Sequence, residues 1–255
     1  MKLSGVCHEL GRKAFLRLGL DVRRRQSRER QYRDMDPDFF KIYDACSPFT
    51  MVSIERMYAL YQAVEYLVRN RIAGDIVECG VWRGGCCMLI AKTLTHFQDT
   101  GRKIYLYDTF EGMPAPTEKD VARDGQRLVK QWNAMVKDSH NEWCYASLQD
   151  VQKNLSAVDY PQTQIHYIVG KVEDTLPGTI PEKIALLRLD TDWYESTKHE
   201  MRHLYPRLVS TGPLLIDDYG HWKGSRDAVD ESFAEMGLFP YLSRVDYTGR
   251  TFIKP

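Results

Sequence analysis

Five short runs of aliphatic and β-branched residues set the strongest limit on what this chain folds into. They are DIVECG (75–80), KIYLYD (103–108), QIHYIVG (164–170), KIALLRLD (183–190) and GPLLIDD (212–218), and each closes on Gly or Asp. Helix-length stretches separate them, at 85–98, at 193–209 and in a longer insert over about 118–157. Strands that alternate with helices demand a parallel sheet covered on both faces. The C-terminal YLSRVDYTGRTFIKP differs: two short strand-like runs flank Tyr247-Thr248-Gly249-Arg250, which reads as a β-hairpin. The expected architecture is therefore α/β and Rossmann-like, a mostly parallel twisted sheet with helices on both faces and a C-terminal antiparallel hairpin strand. The 255 residues, 43% hydrophobic, suffice for one sizeable α/β core. No internal repeat or low-complexity linker divides them.

Ahead of the first strand, SPFTMVSIERMYALYQAVEYLVRN predicts a helix. Ser53 caps it, Ile54, Met57, Tyr58, Tyr61, Val64, Tyr66 and Leu67 supply apolar faces, and Gly74 closes it. Further upstream, residues 1 to about 34 are rich in arginine, and Leu10, Ala14, Leu18 and Val22 recur every four residues. That spacing predicts a basic amphipathic helix. A solvated extension is the reading favoured there; a subunit contact, and hence a homo-oligomer, or a contact with an anionic surface are the sharper ones.

Net charge is zero and the pI is near 7. Neither carries the positive footprint of a nucleic-acid binder. No apolar run reaches the length of a membrane span. The N-terminus lacks an apolar signal core. Six cysteines occur without a C-x-x-C pair, which fits reduced thiols rather than a zinc site or a secreted disulfide framework. A cytoplasmic protein is expected.

Two sites are legible at the carboxyl ends of these strands, where open α/β sheets bind ligands. The first is VECGVWRGGCCM, a glycine turn after the first strand with Glu78 beside Gly80. It is not G-x-G-x-x-G, so pyrophosphate binding is poorly supported. Asp108 ends the second strand, and a carboxylate there can accept hydrogen bonds from two ribose hydroxyls. The alternatives are an ordinary βα turn at Gly80 and a helix cap at Asp108; together with Glu78 the two favour a nucleoside. The second site is a doubling of acids. Asp190 ends the fourth strand with Asp192 two residues on, and Asp217 and Asp218 end the fifth. Adjacent parallel strands lie about 4.8 Å apart, so these carboxylates converge. Left unpaired they would repel one another. A hard divalent cation resolves the conflict, and an oxygen-only donor set suits Mg²⁺ or Mn²⁺. Asp192, beyond the strand end, could act as a general base beside the metal. The competing reading makes Asp190, Asp192 and Asp217 caps of the helices that follow.

VECGVWRGG, YDTFEGMP, LLRLDTDWYEST and LLIDDYGHWKGSRDAVDE, in that order, resemble the macrocin/mycinamicin/novobiocin family of Mg²⁺- and S-adenosylmethionine-dependent O-methyltransferases, which methylate sugar hydroxyls of natural products. The resemblance runs from about Ser47 to the C-terminus. It implies a class I methyltransferase domain over 47–255, a basic helical extension over 1–46, and a substrate-side insert over 118–157. It also implies that Glu78 and Gly80 line the methionine half of the cofactor, that Asp108 holds the ribose with Thr109 and Phe110 nearby, and that Gly170, Lys171 and Val172 meet the adenine. Thr50 and Met51 match a segment that closes over the cofactor. Asp190, Asp217 and Asp218 match the metal triad, and Asp192 the base. The partner implied is a small hydroxylated, glycosylated molecule, with Trp132, Met135, Trp143 and Tyr145 of the insert walling its site. Metal-dependent methylation of a catechol-like phenol is an alternative. A non-catalytic nucleotide-binding or scaffold protein is another, and four retained carboxylates weigh against it. A nicotinamide oxidoreductase is disfavoured by the glycine pattern.

Overall fold

The apolar runs form the strands that the alternation demands: β1 Asp75–Cys79, β2 Ile104–Asp108, β3 Ile165–Val169, β4 Ile184–Leu189 and β5 Pro213–Ile216. A hairpin of β6 Ser243–Arg244 and β7 Arg250–Ile253 completes a seven-stranded sheet in the order β3-β2-β1-β4-β5-β7-β6. β1 to β5 pair in parallel, and β7 runs antiparallel to both β5 and β6. The order reverses between β1 and β4, and that switch point opens a crevice at the strands' carboxyl ends. This computed structural model describes residues 31–122 and 124–255. The arginine-rich helix expected near the N-terminus therefore lies, over residues 1–30, outside the described residues.

Residues 37–255 form one unit. Its helices are α1 Pro37–Cys46, α2 Ile54–Arg69, α3 Gly85–His96, α4 Val129–Ala134, α5 Leu148–Ser156, α6 Val172–Thr175, α7 Tyr194–His203 and α8 Lys223–Glu235. No helix among the described residues is long and apolar enough to cross a membrane. α2 starts as predicted, with Ser53 Oγ accepting from the Arg56 amide at 3.2 Å. It ends at Arg69, before Gly74, because Asn70 folds its side-chain amide back onto the Tyr66 carbonyl at 2.9 Å. α7 stops at His203, short of 209, as Pro206 enters the next turn with no amide to donate.

β1, β4 and β5 are buried almost throughout, as central parallel strands should be. Val77, Leu187, Leu189, Leu214 and Ile216 pack with Met201, Leu204, Val229 and Phe233 of the covering helices. At about 25 cal/mol per Å² of apolar area, each such side chain contributes roughly 1.5–3 kcal/mol. The insert is mostly irregular, with only α4 and α5 as helices, and its Leu128 joins Met113 and Trp193 in a satellite cluster.

Candidate functional site

The β1–α3 turn is built around two close approaches. Gly80 has φ +79°, and a Cβ there would lie 2.0 Å from the Asp190 carbonyl oxygen. Only glycine lets the ends of β1 and β4 meet in this way. Gly85, the first residue of α3, would carry its Cβ 2.6 Å from the Phe49 carbonyl and 2.8 Å from Thr50 Cβ. The segment holding Thr50 and Met51 is thus pressed onto the helix N-terminus, with Met51 61% exposed at the rim.

Asp108 stands opposite this turn. One oxygen accepts from the amides of Val81 (2.7 Å) and Trp82 (3.3 Å), the other from the amide of Phe110 at 2.7 Å. No helix follows β2 until α4, so Asp108 is not a helix cap; it ties two loops together at the crevice. Burial raises its pKa, against the pull of the Phe110, Val81 and Trp82 amides. A carboxylate has about four lone-pair sites, so room for a hydroxyl donor remains. Gly170, with φ +131°, is held by its amide on the Asp108 carbonyl at 2.9 Å.

The acidic end departs from the sequence reading in one respect: Asp190 and Asp217 are already paired with arginine. Arg188, 2% exposed and next to the carboxyl end of β4, sits beside Glu78 in the sheet register. Its guanidinium reaches Glu78 Oε1 at 2.6 Å, Asp190 Oδ2 at 2.7 Å and Asp217 Oδ1 at 2.5 Å. Arg56, on α2, pairs with Asp217 Oδ2 and with Asp246 of the hairpin loop. The other oxygen of Glu78 accepts from the Cys87 thiol at 2.7 Å. An arginine inside an otherwise apolar strand was the signal for this network, and the reading of LLRLD as an apolar run passed over it.

The cation requirement is reduced but not removed. Oxygens of Asp190, Asp217 and Asp218 lie within 4.8 Å of one another, and among the described residues no ion pair reaches Asp218 or Asp192. Burial drives the Asp190 carboxyl well above the usual range despite Arg188, and burial and Asp192 do the same to Asp218. Burial and Asp190 push Asp192 up to about 7. Five converging carboxyl groups (Glu78, Asp190, Asp192, Asp217, Asp218) against two guanidinia leave acids that no guanidinium pairs, a hard all-oxygen set that fits a divalent cation.

The helix-cap alternatives fail on geometry. α7 and α8 begin after Trp193 and Trp222, and no side chain of either cap residue bonds the first turn. The Tyr194 amide is taken by Asp120 of the insert at 2.8 Å. Asp192 instead sits at φ +68°, rare for a non-glycine residue, with Oδ1 accepting from the Trp222 indole at 2.5 Å. Below it, Thr191 Oγ1 donates to Glu200 Oε1 at 3.0 Å, and Glu200 is wholly buried.

One cavity of about 400 Å³ gathers most of these groups. Thr50, Met51, Glu78, Gly80, Asp108, Thr109, Gly170, Lys171 and Val172 line it, together with Asp190, Asp192, Asp217 and Asp218. Phe110 does not; it is buried in the loop behind Asp108. Of the insert aromatics, Trp143 lines the cavity. Trp132 packs behind it, its indole on the Met113 carbonyl at 2.7 Å, and Tyr145 stacks on His140 at the surface. Residues not foreseen on this wall are Arg56, Thr191, His221, Trp222, Tyr247 and Thr248.

A family model described as Macrocin-O-methyltransferase (TylF) matches residues 8–254. An 8-demethyl-8-(2,3-dimethoxy-alpha-L-rhamnosyl)-tetracenomycin-C 4'-O-methyltransferase from Streptomyces olivaceus is 34% identical over 78% of this chain and 73% of its own. A mycinamicin III 3''-O-methyltransferase from Micromonospora griseorubida is 32% identical over 78% of this chain and 76% of its own. The solved structure of the O-methyltransferase NovP superposes with a TM-score of 0.70 at 32% identity, covering 81% of this chain and 82% of that one.

Proposed function

The chain belongs to the macrocin O-methyltransferase (TylF) family, and from that premise we propose that it moves a methyl group from S-adenosylmethionine to a sugar hydroxyl of a glycosylated natural product, with Mg²⁺ or Mn²⁺ held among the acids. What supports this reading is the single cavity in which the glycine turn, Asp108 and Gly170 adjoin Asp190, Asp192, Asp217 and Asp218. The rhamnosyl acceptor in one relative's name supports the sugar.

S-adenosylmethionine would supply an electrophilic methyl group, and the cation a positive charge that makes a nearby hydroxyl easier to deprotonate. The protein's task is alignment, which can lower a barrier by roughly 7–11 kcal/mol. Asp108 would accept from the ribose, with Thr109 beside it and Phe110 holding the loop from behind. Glu78 and Gly80 would border the methionine half, Gly170, Lys171 and Val172 the adenine, and Thr50 and Met51 the rim. Asp190, Asp217 and Asp218 would hold the cation. Arg188 and Arg56 would keep Asp217 fixed and partly neutralised, leaving Asp218 the acid with most freedom. Asp192 would take the acceptor's proton. In this reading residues 47–255 are the methyltransferase domain, the 118–157 insert walls the acceptor through Trp143, and 1–46 is an extension. The free thiols among the described residues, four of them buried, suit a reducing cytoplasmic setting.

Two measurements test it. Calorimetry with S-adenosylhomocysteine should show Asp108→Ala binding about 1.5–3 kcal/mol more weakly, the scale of a hydrogen bond to a charged group. Wild-type affinity in that variant removes Asp108 from the cofactor site. An acceptor panel should show methyl transfer to glycosylated macrolide or aromatic compounds and little to a free catechol; the reverse order selects the phenol alternative.

A further inference from the structure

Asp192 is held in place from outside its own segment. Trp222, the residue before α8, directs its indole Nε1–H onto Asp192 Oδ1 at 2.5 Å. The ring has little freedom to turn. It packs edge-on against Trp193 at 5.4 Å between centroids, against Trp143 of the insert at 6.2 Å, and against His221 at 4.3 Å. Its backbone is fixed too, with the amide on the Asp218 carbonyl at 3.0 Å and a bridge to Ala122 of the insert. Asp192 needs such support. At φ +68° it occupies a backbone region that aspartate enters rarely, and no helix-cap bond holds its side chain.

The geometry points to Trp222 as the positioning residue of Asp192: its indole N–H fixes one carboxylate oxygen so that the other is presented to the acceptor hydroxyl. This rests on the reading of Asp192 as the base. An indole nitrogen is a donor only. It can neither take the substrate proton nor share one with Oδ1, so it orients the carboxylate without competing for the proton. A base oriented by a third group is the arrangement that makes proton transfer efficient. The same ring contacts Trp143, so the insert's wall and the orientation of the base are joined in one side chain.

The test is a cycle of Trp222→Phe, Asp192→Asn and the double variant, in the full chain with S-adenosylmethionine, Mg²⁺ and an accepted glycoside. Phenylalanine keeps an aromatic face but removes the N–H together with part of the ring system, and the Asp192→Asn background controls for the lost packing. Trp222→Phe should lower kcat by about 10- to 100-fold, the worth of a hydrogen bond to a charged group. KM for the acceptor and affinity for S-adenosylhomocysteine should change by less than about threefold. In the Asp192→Asn background the same substitution should have almost no further effect on kcat, because its route to the reaction is already gone. Full turnover in Asp192→Asn overturns the base and the positioning role with it. A slow Asp192→Asn beside a wild-type Trp222→Phe, or equal losses from Trp222→Phe in both backgrounds, overturns the positioning role alone. A second measurement needs no change at Trp222. With ¹⁵N-tryptophan, one indole N–H proton should lie far downfield in the chain without ligands and move upfield in Asp192→Asn. An indole spectrum unmoved by Asp192→Asn also overturns it.

Discussion

Asp190→Asn and Asp192→Asn are expected to lose activity in different ways. In wild-type protein, excess chelator should stop methyl transfer and Mg²⁺ should restore it. Asp190→Asn removes a charge from the acidic set and a partner from Arg188, so its defect should shrink as Mg²⁺ is raised. Asp192→Asn leaves Asp190 and Asp217 with their guanidinium partners and leaves Asp218 in place. Its loss should lie in kcat, on the order of 10²–10⁴-fold for a positioned base, with cation and cofactor affinity nearly unchanged and no rescue by metal. Asp192→Asn should not melt lower than wild type, because Asp120 rather than Asp192 caps the Tyr194 amide. With burial and Asp190 holding the Asp192 pKa near 7, the acid limb of the wild-type rate profile should lie at or below neutrality once a cation neutralises its neighbours, and should vanish in the Asn variant. Steady-state kinetics across Mg²⁺ concentration and pH, run on both variants, checks this. Full activity in chelator with negligible metal content would remove the cation from the proposal.

The second large effect concerns stability. Glu200 is wholly buried under the Asp190–Asp192 turn, with Oε1 on Thr191 and no hydrogen-bond partner for Oε2 among the described residues. Burial pushes its pKa from the ordinary 4.5 up to about 8, against the Thr191 hydrogen bond. The folded protein therefore keeps this proton where the unfolded chain has lost it. Stability from this group is fully present below about pH 4.5 and is lost as pH rises toward 8. Glu200→Gln keeps the shape and has no proton to lose. Its melting temperature should match wild type near pH 4.5 and exceed it at pH 8, by a difference on the order of 4 kcal/mol at most. Asp108, Asp190 and Asp218 push wild-type stability in the same direction, so the informative quantity is the difference between the two proteins. Parallel melting curves across that range would return Glu200 to an ordinary ionised carboxylate.

The strands were legible because a buried parallel strand must be apolar along its whole length, and each ended within a residue or two of its expected limit. The carboxylate cluster was legible for a related reason, since acids at the ends of such strands have few other purposes. What partners those acids was not legible. Arg188 is one charged letter in LLRLD, and its three contacts come from strands and loops that only the sheet order brings together. Arg56 arrives from a helix far upstream. Asp120 and Trp222 cap and orient groups 74 and 30 residues away respectively, in ways that no local pattern encodes. The fate of Asp108 shows the same limit: an acid at a strand end signals a ligand, but its three amide partners depend on the loop that folds back over it.

The contact between Gly80 and the Asp190 carbonyl has a consequence for anyone who would re-engineer this molecule. Because those backbones approach so closely, the glycine turn and the acidic loop share one mechanical coordinate, and neither can be re-shaped alone. Widening the glycine turn for a bulkier donor analogue will drag Asp190 with it, and the acidic centre will degrade in step. The insert is attached differently, by discrete bonds such as those from the Tyr194 amide to Asp120 and from the Lys223 amide to the Val121 carbonyl. It can be exchanged as a cassette between those anchor points. Retargeting to new acceptors is therefore the tractable direction of change, and substitution of the donor is the one the architecture resists.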